Sequence, residues 1–240
     1  MSGGPQLRSA IIGLLGIAAT EEQMLLATAP ADEPGDAQCW AARPLIAHNT
    51  EFKRQQVERL RAVRDGEVPP DYPQIDHGSA ATYRGYAAQP TAQVAADSRR
   101  VAAELVDGLN ATGDDDLRDP SRNPWLRGRA LWLQIIVRGF WHPAGHLGEY
   151  YLAHGRPDRA VDLAGQAVAT AGYLGAPGPA RGMASYNLAC AQARAGRPDQ
   201  AAAALREAIG LNPDVRANAG RDPDLAVLRE AGRLEALLSE

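Results

Sequence analysis

The chain has 240 residues, enough for one sizeable domain or two small ones with their own cores. Its net charge of −4 and its 24 arginines, dispersed among carboxylates beside a single lysine, Lys53, leave no basic stripe of the kind that nucleic-acid binding requires. Two cysteines far apart, Cys39 and Cys190, exclude a disulfide framework and a cysteine zinc site and fit a reducing, cytoplasmic setting.

β-Branched alternation is scarce and apolar residues recur at steps of three and four, so the chain reads as all-α. A first helix over residues 5–28 places Leu7, Ile11, Leu14, Ala18 and Leu25 on one face. Its stretch "SAIIGLLGIAA" also has the length of a signal-peptide core. Only Arg8 precedes that stretch, however, and no small-x-small cleavage site follows, which favours a bundle helix. No run reaches the roughly 18–20 apolar residues of a membrane span.

A second helix over residues 40–65 sets Leu45, His48, Phe52, Leu60 and Val63 near one face, so His48 points inward. A proline-rich connection containing Asp76 and His77 reads as a solvated loop. It leads to a third helix with the stripe Val94, Ser98, Val101, Leu105 and Leu109. After an Asp-rich loop, a fourth helix from about residue 125 carries Leu131, Ile135, Gly139, His142, His146 and Tyr150. Four long helices with inward stripes describe a four-helix bundle.

The remainder holds an internal repeat. "AHGRPDRAVDLAGQAV" and "RAGRPDQAAAALREAI" superpose at an offset of 41 residues, Gly155 matching Gly196. The second copy, within "SYNLACAQARAGRPDQAAAALREAIGLNP", resembles a tetratricopeptide repeat: Leu188, Ala189, Ala201, Leu205, Ala208 and Pro213 match that family's pattern. Ser185 and Gln192 depart from its Trp and Tyr. Aligned on Gly155, the first copy puts Leu147, Gly148, Tyr151 and Ala160 on family positions, so the fourth bundle helix doubles as a repeat helix. The tail "DPDLAVLREAGRLEALL" is similar to the capping helix of such arrays. The resemblance implies a repeat domain over residues 141–240 and, through it, a protein partner or a homodimer contact.

His142 and His146 stand one helical turn apart, close enough to grip one metal ion. A catalytic ion commonly takes three protein ligands, and His48, inward-facing on another helix, is the available third. The competing reading is that all three are core or surface histidines without a metal. Pro143 removes a hydrogen bond to Gly139 and predicts a kink there, with Gly139 relieving the clash. Glu51 and Glu149, each three residues after a histidine, could orient a ligand or simply face solvent; His154 before Gly155 reads as a helix cap. Arg127, Arg129 and Arg138 could meet an anionic ligand.

"CWAARPLIAHNTEFKRQQVERL" and "FWHPAGHLGEY", with Trp40, His48 and the pair His142 and His146, resemble the DinB-like superfamily. That superfamily includes metal-dependent thiol S-transferases and maleylpyruvate isomerases. The resemblance implies a bundle over residues 1–155 with His48, His142 and His146 as metal ligands. It also implies a divalent transition metal, zinc or nickel, and a low-molecular-weight thiol such as mycothiol as cosubstrate. Thiol addition to a small electrophilic substrate would be the reaction, and no residue is assigned as catalytic. A non-catalytic helical scaffold acting through its repeats is the alternative. No membrane or nucleic-acid partner is expected.

Overall fold

The structure, a computed structural model, describes residues 4–30, 32–72 and 78–239, with side chains from residue 6 onward. Asp76 and His77 lie outside the described residues. The chain is all-α, with no strand among the described residues. It divides into two compact units, Met1–Pro143 and Ala144–Glu240.

The first unit is built on α1 (Gly4–Thr28), α2 (Ala42–Arg64), α3 (Ala80–Ala87), α4 (Thr91–Ala111), α5 (Asp114–Arg118) and α6 (Leu131–Ile136). Helix α6 runs on through a π-helical turn, Val137–Trp141, into α7 (His142–Ala153). Helix α4 packs on both α1 and α2, and the π turn packs on the same two helices. The stripes expected from the sequence are the buried ones: Leu7, Ile11, Leu14, Ala18 and Leu25 on α1, and Val94, Ser98, Val101, Leu105 and Leu109 on α4. Arg8 donates from Nη1 to the Leu109 carbonyl at 2.6 Å and the Asn110 carbonyl at 3.1 Å, capping the end of α4 with a positive charge.

By length and mean hydropathy, residues Gln6–Thr28 could cross a membrane, although they contain no unbroken apolar run of that length. Here the helix turns its apolar face into the unit and buries Glu22, whose Oε2 accepts from Lys53 Nζ at 2.7 Å and Ser98 Oγ at 3.1 Å. A buried ion pair needs its partner close, and α2 supplies it.

The expected continuous fourth helix is segmented. Residues Pro124–Leu126 form a 3₁₀ turn, Arg127 is left-handed at φ 53°, and α6 begins only at Leu131. Proline supplies the physical reason at the far end of α6. Pro143 has no N–H, and the His142 N–H reaches back to the Val137 carbonyl, an i to i−5 bond that widens the turn. Gly139 answers a second constraint, since a Cβ there would lie 2.5 Å from Leu15 Cδ2 of α1. Its small size therefore serves the approach of α1 as well as the turn.

The second unit comprises the rest of α7 together with α8 (Pro157–Tyr173), α9 (Gly178–Arg194), α10 (Pro198–Leu211), α11 (Val215–Ala219), α12 (Ala226–Glu230) and α13 (Leu234–Ser239). Helix α9 packs on α8 and α10. The two copies of Gly-Arg-Pro fold alike. Gly155 and Gly196 have φ of 68° and 72°, where glycine alone is unstrained. The following arginines adopt φ −116° and −115°. Arg156 N–H bonds the Tyr151 carbonyl at 2.8 Å, and Arg197 N–H bonds the Gln192 carbonyl at 2.9 Å. These are matched helix stops followed by proline at the start of the next helix. Gly148 would bring a Cβ within 3.9 Å of Ala160 Cβ, so small residues meet between α7 and α8.

The tail differs from the single helix expected. A 3₁₀ turn at Pro223–Leu225, α12 and α13 form separate pieces, the last two parted by Gly232 at φ 67°. Leu225, Leu228, Leu234 and Leu237 still bury themselves with Leu205, Ala208 and Ile209 of α10. The pieces thus close the core of the second unit without being continuous.

Candidate metal centre

Helix α2 places His48 in the interior of the first unit, with no exposed surface. Aromatic rings surround it. Trp40, just before α2, stands edge-on at 5.3 Å, Phe52 one turn along at 4.8 Å, and Tyr86 of α3 at 5.5 Å. The i, i+4 spacing of His48 and Phe52 puts them on one stripe of α2. Burial, and secondarily Glu51, raise the Tyr86 pKa, so its hydroxyl keeps its proton at neutral pH.

His142 enters from the facing segment, delivered by the π turn. Its ring lies 4.1 Å from Phe52, and its Nε2 stands 3.2 Å from Nε2 of His48. Helix α7 is unbroken from His142 onward, so the position of His146 relative to His142 is fixed by one helical turn. One ring nitrogen from each of His48, His142 and His146 lies within 4.8 Å of the others. The three predicted residues are thus brought together.

The donor set fits a divalent ion. With bonds of about 2.05 Å at a tetrahedral angle, two imidazole nitrogens on zinc sit roughly 3.3 Å apart. The observed Nε2 to Nε2 distance of 3.2 Å meets that requirement. A direct imidazole–imidazole hydrogen bond has a similar length, and would need one ring to carry its proton on Nε2. Glu149 Oε2 stands 3.3 Å from Nδ1 of His146, which favours the tautomer with the proton on Nδ1 and the lone pair on Nε2.

The other sequence candidates separate cleanly. Glu51 pairs with Arg54 on its own helix. His154 places Nδ1 at 2.8 Å from the Tyr150 carbonyl and stacks on that ring at 3.9 Å, a helix-end contact. Arg127 is exposed at its left-handed turn. Sequence reasoning missed Tyr86, whose helix α3 is only eight residues long, and Arg59, eleven residues after His48 on α2.

Cys190 also lies among carboxylates, with Sγ 3.7 Å from Asp222 Oδ2, which additionally accepts from the Tyr186 hydroxyl at 2.5 Å. Burial first, then Asp222 and Asp224, push the Cys190 thiol up, so it remains a protonated donor.

Comparison with known proteins leaves the class of this centre open. No protein-family model matches the chain, no curated protein matches it in sequence, and no solved structure matches it.

Proposed function

We propose that the chain is a metal-dependent enzyme of the DinB-like class. Its reaction would add or transfer a low-molecular-weight thiol, such as mycothiol, to a small electrophile. The carrying observation is the 3.2 Å approach of His48 Nε2 to His142 Nε2, the separation that two ligands of one tetrahedral ion require. On this reading residues 1–155 form a four-helix bundle with His48, His142 and His146 as the ligands. The second unit is a tetratricopeptide-like array, a reading supported by the matched turns at Gly155 and Gly196. The reducing, cytoplasmic setting in which Cys39 and Cys190 remain thiols belongs to the same proposal.

A zinc or nickel ion held by three neutral imidazoles would keep its full charge and lower the pKa of a bound thiol or water toward neutrality. The residues of the chain do the rest. Trp40, Phe52 and Tyr86 fix the His48 ring by edge contacts and keep water from its faces. Glu149 favours the His146 tautomer with its proton on Nδ1, which leaves the lone pair on Nε2.

The test is loss of a small thiol in the presence of a panel of electrophiles. Consumption should depend on the protein, stop after chelator treatment and return with added zinc or nickel. Consumption by metal-stripped protein at the original rate would sink the proposal. So would the absence of consumption in metal-loaded protein across mycothiol, bacillithiol and glutathione.

A further inference from the structure

Arg138 stacks on Phe52, the neighbour of His142, and two further arginines of the first unit act on it or on each other. Arg59 lies on α2, Arg138 in the π turn, and Arg129 just before α6. They are near enough to act on one another. Burial first, and then neighbouring positive charge, hold Arg138 below the ordinary arginine value, and Arg129 supplies that charge. Arg59 is lowered in the same direction by burial, with Arg138 and Arg129 among the contributors. Like charges held together in a half-buried place are unfavourable unless something negative joins them.

The described residues do not provide it. Among the described residues no carboxylate forms an ion pair with Arg59, Arg129 or Arg138, although Arg8, Arg54, Arg100 and Arg122 of the same unit each have one. Glu58 is occupied by the Tyr72 hydroxyl, and Asp71 acts on Arg59 only at a distance. Aromatic faces position two of the guanidinium groups instead, while Arg129 donates from Nε to the Leu126 carbonyl at 3.2 Å. Arg59 stands 4.7 Å over Tyr72 and 5.9 Å from Trp125, and Arg138 stands 5.0 Å over Phe52. Arg59 Nε is buried with no hydrogen-bond partner. Stacking leaves the edges of a guanidinium, with their N–H forks, available to an oxyanion.

Phe52 joins this cluster to the histidines, since it also lies 4.1 Å from His142. Arg138 is four residues before His142, roughly 6 Å along the segment, and Arg59 is some 16 Å from His48 along α2. We infer that Arg59, Arg129 and Arg138 recognise the carboxylate of a small organic acid whose reactive end extends past Phe52 toward the His48–His142 pair. The inference rests on the metal-site reading for the role of that reactive end, but the anion site itself stands on the arginines. It narrows the electrophile to one carrying a carboxylate.

The experiment uses the full chain and succinate as probe. Binding is followed by titration calorimetry at low and moderate salt, with metal content measured on the same samples. Wild type should bind succinate with an affinity that falls as salt rises. Arg59→Gln and Arg138→Gln should each weaken it roughly tenfold or more, the loss expected of a charge-assisted hydrogen bond, while metal content stays unchanged. Arg129→Gln, at an exposed position where folding is not at stake, should weaken it in the same direction. Absence of succinate binding, or wild-type affinity in all three variants, overturns the inference and leaves the metal reading untouched. Tighter binding of inorganic phosphate than of succinate overturns the carboxylate assignment. Arginine-dependent succinate binding by a protein that holds no metal supports the anion site and sinks the metal reading.

Discussion

Lys53 is the only lysine in the chain, and it lies in the core with 2% of its side chain exposed, 2.7 Å from a Glu22 that is wholly buried. Replacing it with methionine keeps the apolar stem and removes the charge, leaving Glu22 with Ser98 as its remaining polar neighbour. At an effective dielectric near 20, the attraction at this distance is roughly 6 kcal/mol before desolvation is counted. Removing one partner of a buried pair typically costs about 3–5 kcal/mol, because the other charge stays behind. For a chain of this size that corresponds to a melting point lower by roughly 6–20 °C. Thermal melts by circular dichroism should show this fall for Lys53→Met. The double variant Glu22→Leu/Lys53→Met should regain most of it. A single variant melting within about 2 °C of wild type, or a double variant no better than the single, would show that the buried pair does not stabilise the fold in this way. Amine-reactive labelling gives an independent check: Lys53 should resist modification in the native protein and react once it is unfolded.

Gly182→Ala should destabilise the second unit by roughly 1–3 kcal/mol in denaturant unfolding, because the added Cβ meets the Ala208 carbonyl oxygen and Asn212 nitrogen, both backbone, at 2.9 Å. Gly139→Ala should cost less, since its close neighbour, Leu15 Cδ2 at 2.5 Å, is the movable end of a side chain. With an aromatic disulfide reagent at pH 8, exposed Cys39 should react promptly and Cys190 only on unfolding. The raised Cys190 pKa also fixes a sign: the native state holds that proton more tightly than the unfolded chain, so the contribution is full below about pH 8.5 and is lost as pH rises above it. Cys190→Ser should flatten the alkaline limb of the stability profile; an unchanged limb would assign it to other groups.

The legible features were those governed by local pattern. Helical stripes on α1 and α4 follow from spacing alone, and every position that spacing selects is buried, joined on α1 by Leu15, Glu21 and Glu22. The inward face of His48 and the one-turn relation of His142 to His146 come from the same arithmetic. Helix breaks were harder. Pro143 announces an irregularity, but the π turn it takes, and the close approach of α1 to Gly139 within it, involve contacts of high sequence separation. The short helix α3 has no long stripe to reveal it, so Tyr86 went unnoticed as a wall of the histidine site. Lys53 carried a signal that composition alone obscures. One lysine among many arginines marks a place where a compact ammonium fits and a planar guanidinium does not, and its partner Glu22 sits in a stretch apolar enough to mimic a membrane span.

The central claim is that His48, His142 and His146 hold one metal ion. Elemental analysis of protein purified without a metal-affinity tag, for wild type, His48→Ala and His146→Ala, tests it directly. Wild-type chains should each carry about one transition-metal ion, as a three-histidine site would hold, and either folded variant none. Wild-type protein that is fully folded and free of metal after incubation with zinc and nickel would contradict it.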